Sequence, residues 1–395
     1  MSDHSHTSTM STAREPSFAA VCAAGFVALA VAMGIGRFAF TPVLPLMIQA
    51  GSADVASGGW LAAANYAGYL AGALSTARVR LDPQRLTIAA LGAVALSTMA
   101  MAWTASPWIW ALLRFTAGVA SAWVLVSTSV WCLGWLAGFG RAAGAGVLYA
   151  GVGAGIAVAG MWCWHAGAAA VVPANLWLQL GAFAVVGIVL VVAAMPRQLA
   201  KGRQTANLKS RTSSMRDDMG LVVCYGLLGF GYILPATFLP VLARAVIADP
   251  ALFGLAWPVF GVAAAASTLL AGAVLAPVPR RRVLAGSHLL MAVGCLLPVL
   301  HLSPLTVLAA ALLVGSTFMV ATMAGMQAAR AETAGDPTRA LGRLTAAFAI
   351  GQIAGPMMSS LLSTGSEGFG GLMMALCAGA LALLASAGWL WRSRP

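Results

Sequence analysis

Two arginines stand where a charge costs most. Arg37 and Arg114 each lie inside an apolar run long enough to cross a bilayer. A guanidinium at that depth is expensive, and such residues face a bundle interior or a wet cavity on a substrate or ion path. The ten acidic residues (Asp3, Glu15, Asp54, Asp82, Asp217, Asp218, Asp249, Glu332, Asp336 and Glu367) all fall at the termini or in the breaks between runs. The embedded charge is therefore positive and has no counter-ion in the runs. This pattern suits contact with an anion. It does not suit an enzyme, because no run holds a carboxylate, a His cluster or a Ser–His pairing for acid–base or nucleophilic work.

The elements that must position these charges are membrane spans. The 395 residues are 61% hydrophobic and 8% charged, with mean hydropathy +0.89, against about 25% charged residues in soluble domains. Apolar runs cover 19–48, 57–77, 86–105, 108–136, 142–168 and 175–195, then 219–243, 253–276, 283–302, 306–329, 344–362 and 369–391. An all-α integral membrane protein of twelve helices is expected. Its parts are a polar, disordered tail (1–18), a six-helix half (19–195), a basic linker (196–218), a second half (219–391) and a short tail (392–395). All 22 basic residues except Arg37, Arg114 and Arg244 fall at the termini or in the breaks on one side. By the positive-inside rule both termini are cytoplasmic, in an inner membrane. The net charge of +12 is then a topology signal with some attraction to lipid headgroups, and nucleic acid is not a partner.

Glycine and proline surround Arg37. Gly36 to Pro45 repeats at Gly231 to Pro240, where an offset of 195 residues carries Arg37 onto Tyr232. Two halves related in this way place a substrate site between them near the midplane, so Arg37 and Tyr232 are expected to approach one cavity. Arg37 either contacts an anion or caps carbonyls freed by Pro42 and Pro45; Arg114 either acts or snorkels outward. Asn65 and Tyr69 share one helix face, with Tyr66 beside them. They line the cavity or bond neighbouring helices, as do Gln327 and Gln352. Tyr225 and Tyr232 share a face, and Trp257, beside Pro258, walls the cavity with Phe260. His165 and His288 read as interfacial. The thirteen Trp include Trp60, Trp103, Trp108, Trp110, Trp177, Trp389 and Trp391 near span ends, an interfacial belt. Six scattered cysteines suggest neither a metal site nor a disulfide framework.

The segments Gly34–Pro45 (GIGRFAFTPVLP), Gly59–Leu74 (GWLAAANYAGYLAGAL), Gly229–Pro240 (GFGYILPATFLP), Gly315–Arg330 (GSTFMVATMAGMQAAR) and Phe348–Pro356 (FAIGQIAGP) resemble the major facilitator superfamily, and within it the YbfB/YjiJ-type branch. The resemblance implies the major facilitator fold, alternating access and movement of a small solute. Thr76 stands where many members carry an Asp in the loop after span two, leaving Arg78 as the cationic part of that latch. Arg114 to Gly118 is similar to an Arg-x-x-x-Gly motif of proton-coupled antiporters, which implies a proton-relay role. Span five, with Gly144, Gly146, Gly151, Gly153, Gly155 and Gly160, is thin enough for close helix packing.

The expected protein is a secondary transporter, active as a monomer without cofactor or metal, for a small organic solute bearing a carboxylate, with a co-transported proton as an option. The substrate-contacting candidates are Arg37, Thr41, Asn65, Tyr69, Tyr232, Trp257 and Gln352. The gating or coupling candidates are Arg114, Arg78, Pro45 and Pro240. The alternatives are proton-coupled efflux of hydrophobic compounds and, more remotely, a sensor or a channel.

Overall fold

A computed structural model describes residues 17–141, 143–196, 215–246, 254–333, 336–363 and 370–393. Residues 197–214 of the basic linker, 1–16 of the first expected tail and 394–395 of the second lie outside the described residues. Among the described residues there are twelve long helices. The first six are α1 (Phe18–Gln49), α2 (Val55–Ser75), α3 (Pro83–Trp103), α4 (Pro107–Gly138), α5 (Gly144–Ala168) and α6 (Pro173–Ala194). The second six are α7 (Met215–Val246), α8 (Ala256–Val274), α9 (Arg280–Leu300), α10 (Pro304–Glu332), α11 (Pro337–Ser363) and α12 (Gly370–Arg392). Helix starts follow local chemistry: Asp54 and Ser303 each form a capping box, and Pro83, Pro107 and Pro304 occupy first-turn positions, where the missing amide donor costs nothing.

Ten of these helices are long and apolar enough to cross a membrane. Among the described residues, α2 and α11 fall short of that measure, and they are the helices that carry Asn65, Tyr66 and Gln352. Their polarity is tolerable because the polar groups point inward: Asn65 and Gln352 are buried.

The halves repeat one packing scheme. In the first, Gly151 and Gly155 of α5 lie against the Phe26 and Ala30 carbonyls of α1; in the second, Gly351 of α11 lies against the Gly226 carbonyl of α7, and Gly229 against that of Phe348. Between the halves, α5 meets α8 glycine to glycine. Gly146 packs on Gly272 and Gly153 on Gly261, and Gly160 meets Pro258 at the far end. The second seam pairs α2 with α11, where Gly342 faces the Ala73 carbonyl. Without side chains in the way, α5 and α8 touch backbone to backbone along their length, the close approach that small residues permit in lipid.

The belt expectation needs correction. Trp60, Trp103, Trp108 and Trp391 are exposed, but Trp110 and Trp177 are buried, and Trp110 Nε1 donates to the Met101 carbonyl at 3.0 Å. His288 is wholly buried rather than interfacial, whereas His165 is exposed. The cysteines are unpaired thiols, all buried but the partly buried Cys377, small apolar fillers.

Candidate functional site: a buried arginine with open donors

The site begins with a change of helical register. α1 is α-helical over Phe18–Leu29, π-helical over Ala30–Phe38, and α-helical again over Phe40–Gln49. A π-helix bonds each carbonyl to the amide five residues on, and such segments are rare outside functional sites. In that register the Arg37 carbonyl would look to residue 42, and Pro42 has no amide hydrogen.

Helix α4 supplies what the backbone lacks. Arg114 Nη1 donates to the Gly36 carbonyl at 3.0 Å and Nη2 to the Arg37 carbonyl at 3.1 Å. Seven residues along the same face, Ser121 Oγ donates to the Ala32 carbonyl at 2.7 Å. Arg114 is 4% exposed and its guanidinium lies 4.6 Å from the Phe40 ring centroid. Asn65 Nδ2 in turn donates to the Arg114 carbonyl at 2.9 Å. Arg114 is buried rather than snorkelling outward, and both of its terminal nitrogens cap backbone carbonyls. Charge-assisted bonds of this kind contribute about 1.5–3 kcal/mol each.

Arg37 is held differently. It is 3% exposed, its guanidinium carbon 3.8 Å from the Tyr69 ring centroid and 5.5 Å from those of Phe38 and Tyr66. These rings offset part of the desolvation cost through cation–π attraction. Its Nη2 donates across the two halves to Oε1 of Gln352 on α11. Its Nε and Nη1 have no hydrogen-bond partner, and neither do Nε2 of Gln352, the Tyr232 hydroxyl or Nε1 of Trp257. Buried polar atoms are nearly always bonded, so this cluster is out of the ordinary. Every orphan in it carries a hydrogen to donate. A carboxylate accepts only, and among the described residues none reaches Arg37.

A small cavity opens beside this cluster, lined by Met33, Phe38, Tyr69, Tyr232, Phe318 and Phe348 among others, with about 20 Å³ open to the centre of a water molecule. That is room for roughly one water, so the centre is closed in this conformation. At the end of the bundle bearing Arg78, Arg141 and Arg281, α10 bridges to the first half. Arg330 Nη1 donates to the Val130 carbonyl of α4 at 2.9 Å. Beside it, Arg281 pairs with Glu332 through Nε–Oε1 at 2.8 Å and Nη2–Oε2 at 2.7 Å, fixing the end of α10.

Of the residues expected at the site, Arg37, Tyr69, Gln352, Tyr232 and Trp257 come together. Asn65 is buried one layer back on the Arg114 carbonyl. Thr41 is exposed and does not join them. Arg78 is exposed at the close of a short 3-10 turn; Thr76, in the place of the usual Asp, is buried and donates to its own helix at Gly72. Pro45 lies inside the second α-helical stretch of α1, and the Pro240 side chain lies outside the described residues. Sequence reasoning missed Phe318 as part of the centre and Arg330 as a hydrogen-bonded bridge between the halves. Ser121 was within reach, since it stands seven residues after Arg114 on one face.

Twelve long helices in two halves, meeting over a buried cation that neither half neutralises, define a multi-pass membrane transporter. The sequence matches the family described as uncharacterised MFS-type transporter YbfB over residues 29–390, and the chain belongs to that family. Its fold is similar to that of the human organic anion transporter MFSD10 (TETRAN), with a TM-score of 0.71 and 15% identity over 95% of this chain and 100% of the other. No curated protein matches the sequence.

Proposed function

We propose that the chain moves a small organic anion across the membrane by alternating access, with Arg37 as the anion contact. One observation carries this reading: Arg37, Gln352, Tyr232 and Trp257 hold buried donors without acceptors, in helices with no carboxylate nearby. A substrate carboxylate would supply the acceptor. Because the Arg37–Gln352 bond spans the halves, a carboxylate that replaces Gln352 on Nη2 also loosens the closed centre, which couples binding to opening. The human protein of similar fold is described as an organic anion transporter, a description that belongs to that protein and is compatible with this reading.

The drug-efflux alternative rests on the Arg114 motif and on the many Met and aromatic side chains; the engagement of both terminal nitrogens of Arg114 with carbonyls weakens the first of these grounds. The positive-inside rule supports a cytoplasmic placement of the end that carries Arg141 and Arg281. We take the working unit as a monomer in lipid.

Counterflow in proteoliposomes tests the proposal. Saturable exchange of a carboxylate is expected from the wild type, and none from Arg37→Gln at equal insertion and folding. Undiminished exchange by that variant would defeat the assignment.

A further inference from the structure

The wall that faces Arg37 is built of flat rings. Tyr232 of α7 stacks on Phe318 of α10 at 5.0 Å with the planes 20° apart, and on Phe348 of α11 at 6.0 Å and 26°. Phe318 stacks on Phe260 of α8 at 5.3 Å and 20°, and Phe260 on Trp257 at 5.4 Å and 8°. Five rings on four helices of the second half thus form one stacked series. Against it stands a single ring of the first half: Phe38, the neighbour of Arg37, meets Phe318 edge-on at 6.4 Å and 80°, and Trp257 at 6.4 Å.

This division has a consequence for opening. The ring series belongs to one half, and Phe38 with Arg37 to the other. When the halves part, Phe38 leaves Phe318, and the side of the ring series that it covered is uncovered next to the open donors of Arg37. A ligand ring set against Phe318 would place a carboxylate on its edge within reach of Arg37, replacing both the Phe38 contact and the Gln352 bond. Aromatic pairs at such centroid distances gain beyond simple area burial, so a ring is favoured there over an aliphatic body of equal size. One anionic group is the limit. Both terminal nitrogens of Arg114 are held by carbonyls, so a second carboxylate would find no free guanidinium fork, only single donors such as the Tyr232 hydroxyl and Arg114 Nε, and its burial would be costly.

We propose that the solute is an aromatic monocarboxylate, its carboxylate on Arg37 and its ring against Phe318 and Tyr232. The proposal rests on the anion reading above and narrows it.

The test is affinity, read by ligand-induced thermal stabilisation of the full chain in detergent, for benzoate, cyclohexanecarboxylate, benzamide and benzene-1,4-dicarboxylate. Benzoate is expected to bind roughly two- to tenfold more tightly than cyclohexanecarboxylate, the span of aromatic pairing gains, and more tightly than the other two. Phe318→Leu is expected to shrink that preference while cyclohexanecarboxylate affinity holds; Phe348→Leu serves if the first variant does not fold. Equal affinity for benzoate and cyclohexanecarboxylate would overturn the aromatic class and leave the anion reading standing. Tighter binding of the dicarboxylate would overturn the single-charge limit. Benzamide binding as well as benzoate, or no carboxylate binding at all, would overturn the anion reading and this proposal together.

Discussion

The two halves share a helix plan but differ in the chemistry they bring to the centre. The first half contributes charge and donors, with Arg37, Arg114, Asn65 and Tyr69. The second contributes rings, with Tyr232, Trp257, Phe260, Phe318 and Phe348, and the neutral open donors of Gln352, Tyr232 and Trp257. The difference is sharpest in the repeated motif. Gly36 to Pro45 sits in a helix broken by a π-helical segment, and Gly231 to Pro240 lies within the continuous α7. In the broken helix the Gly36 and Arg37 carbonyls are held by Arg114, while the Gly231 carbonyl accepts from the weak Cys295 thiol at 3.7 Å. Two arginines of equal burial thus have separate tasks. One spends both terminal nitrogens on backbone and leaves only Nε open, whereas the other leaves Nε and Nη1 open and bonds across the halves through Nη2.

The strongest way to break this contrast is Arg114→Met. It leaves two buried carbonyls without their charged donors, and a stability loss on the order of 3 kcal/mol or more is expected, seen as a lower melting temperature or lost folded yield. An unchanged melting temperature would show that Arg114 is no cap. Next comes the seam between the halves. A methyl at Gly153 would meet the backbone of Gly261 and Ala265 on α8, atoms that cannot swing aside, whereas one at Gly92 would meet open space. Gly153→Ala is expected to slow counterflow roughly tenfold, with Gly92→Ala unaffected; since every 1.4 kcal/mol is a factor of ten, a seam disturbance of that size suffices. Equal rates for the two variants would argue that α5 and α8 do not move against one another. The smallest effect belongs to Tyr232→Phe. Removing an orphan buried hydroxyl should raise stability slightly and weaken carboxylate binding about two- to tenfold, the worth of one hydrogen bond. Unchanged affinity would remove Tyr232 from the anion's contacts.

Much of the fold was legible in the residues. Hydropathy located twelve helices with most ends within a few residues of those observed, α2 included. Helix α11 starts at Pro337, seven residues before its apolar run at 344, because Arg339 and Arg343 in its first turns dilute the apolar signal. Gly146, Gly153 and Gly160 announced a thin α5, though not that α8 would be its partner. The site was legible in type and only partly in role. Arg37, Tyr232 and Gln352 stood out because polar groups are conspicuous in apolar helices. The division of labour between Arg37 and Arg114 did not, since it depends on where carbonyls more than seventy residues away are left unbonded. Nothing in the sequence marks an i→i+5 register or the exposure of Thr41. Phe318 is an apolar residue in an apolar helix, and only three-dimensional stacking distinguishes it.

The central claim is that Arg37 lacks an acceptor which the solute brings. Gln352→Glu tests it most directly, because it places a carboxylate where the Gln352 amide now meets Arg37, with nearly unchanged shape. Carboxylate affinity of the purified variant is the measurement. A protein that folds normally and has lost at least tenfold in affinity is predicted, since the internal acid takes the solute's place. Affinity equal to that of the wild type would contradict the account.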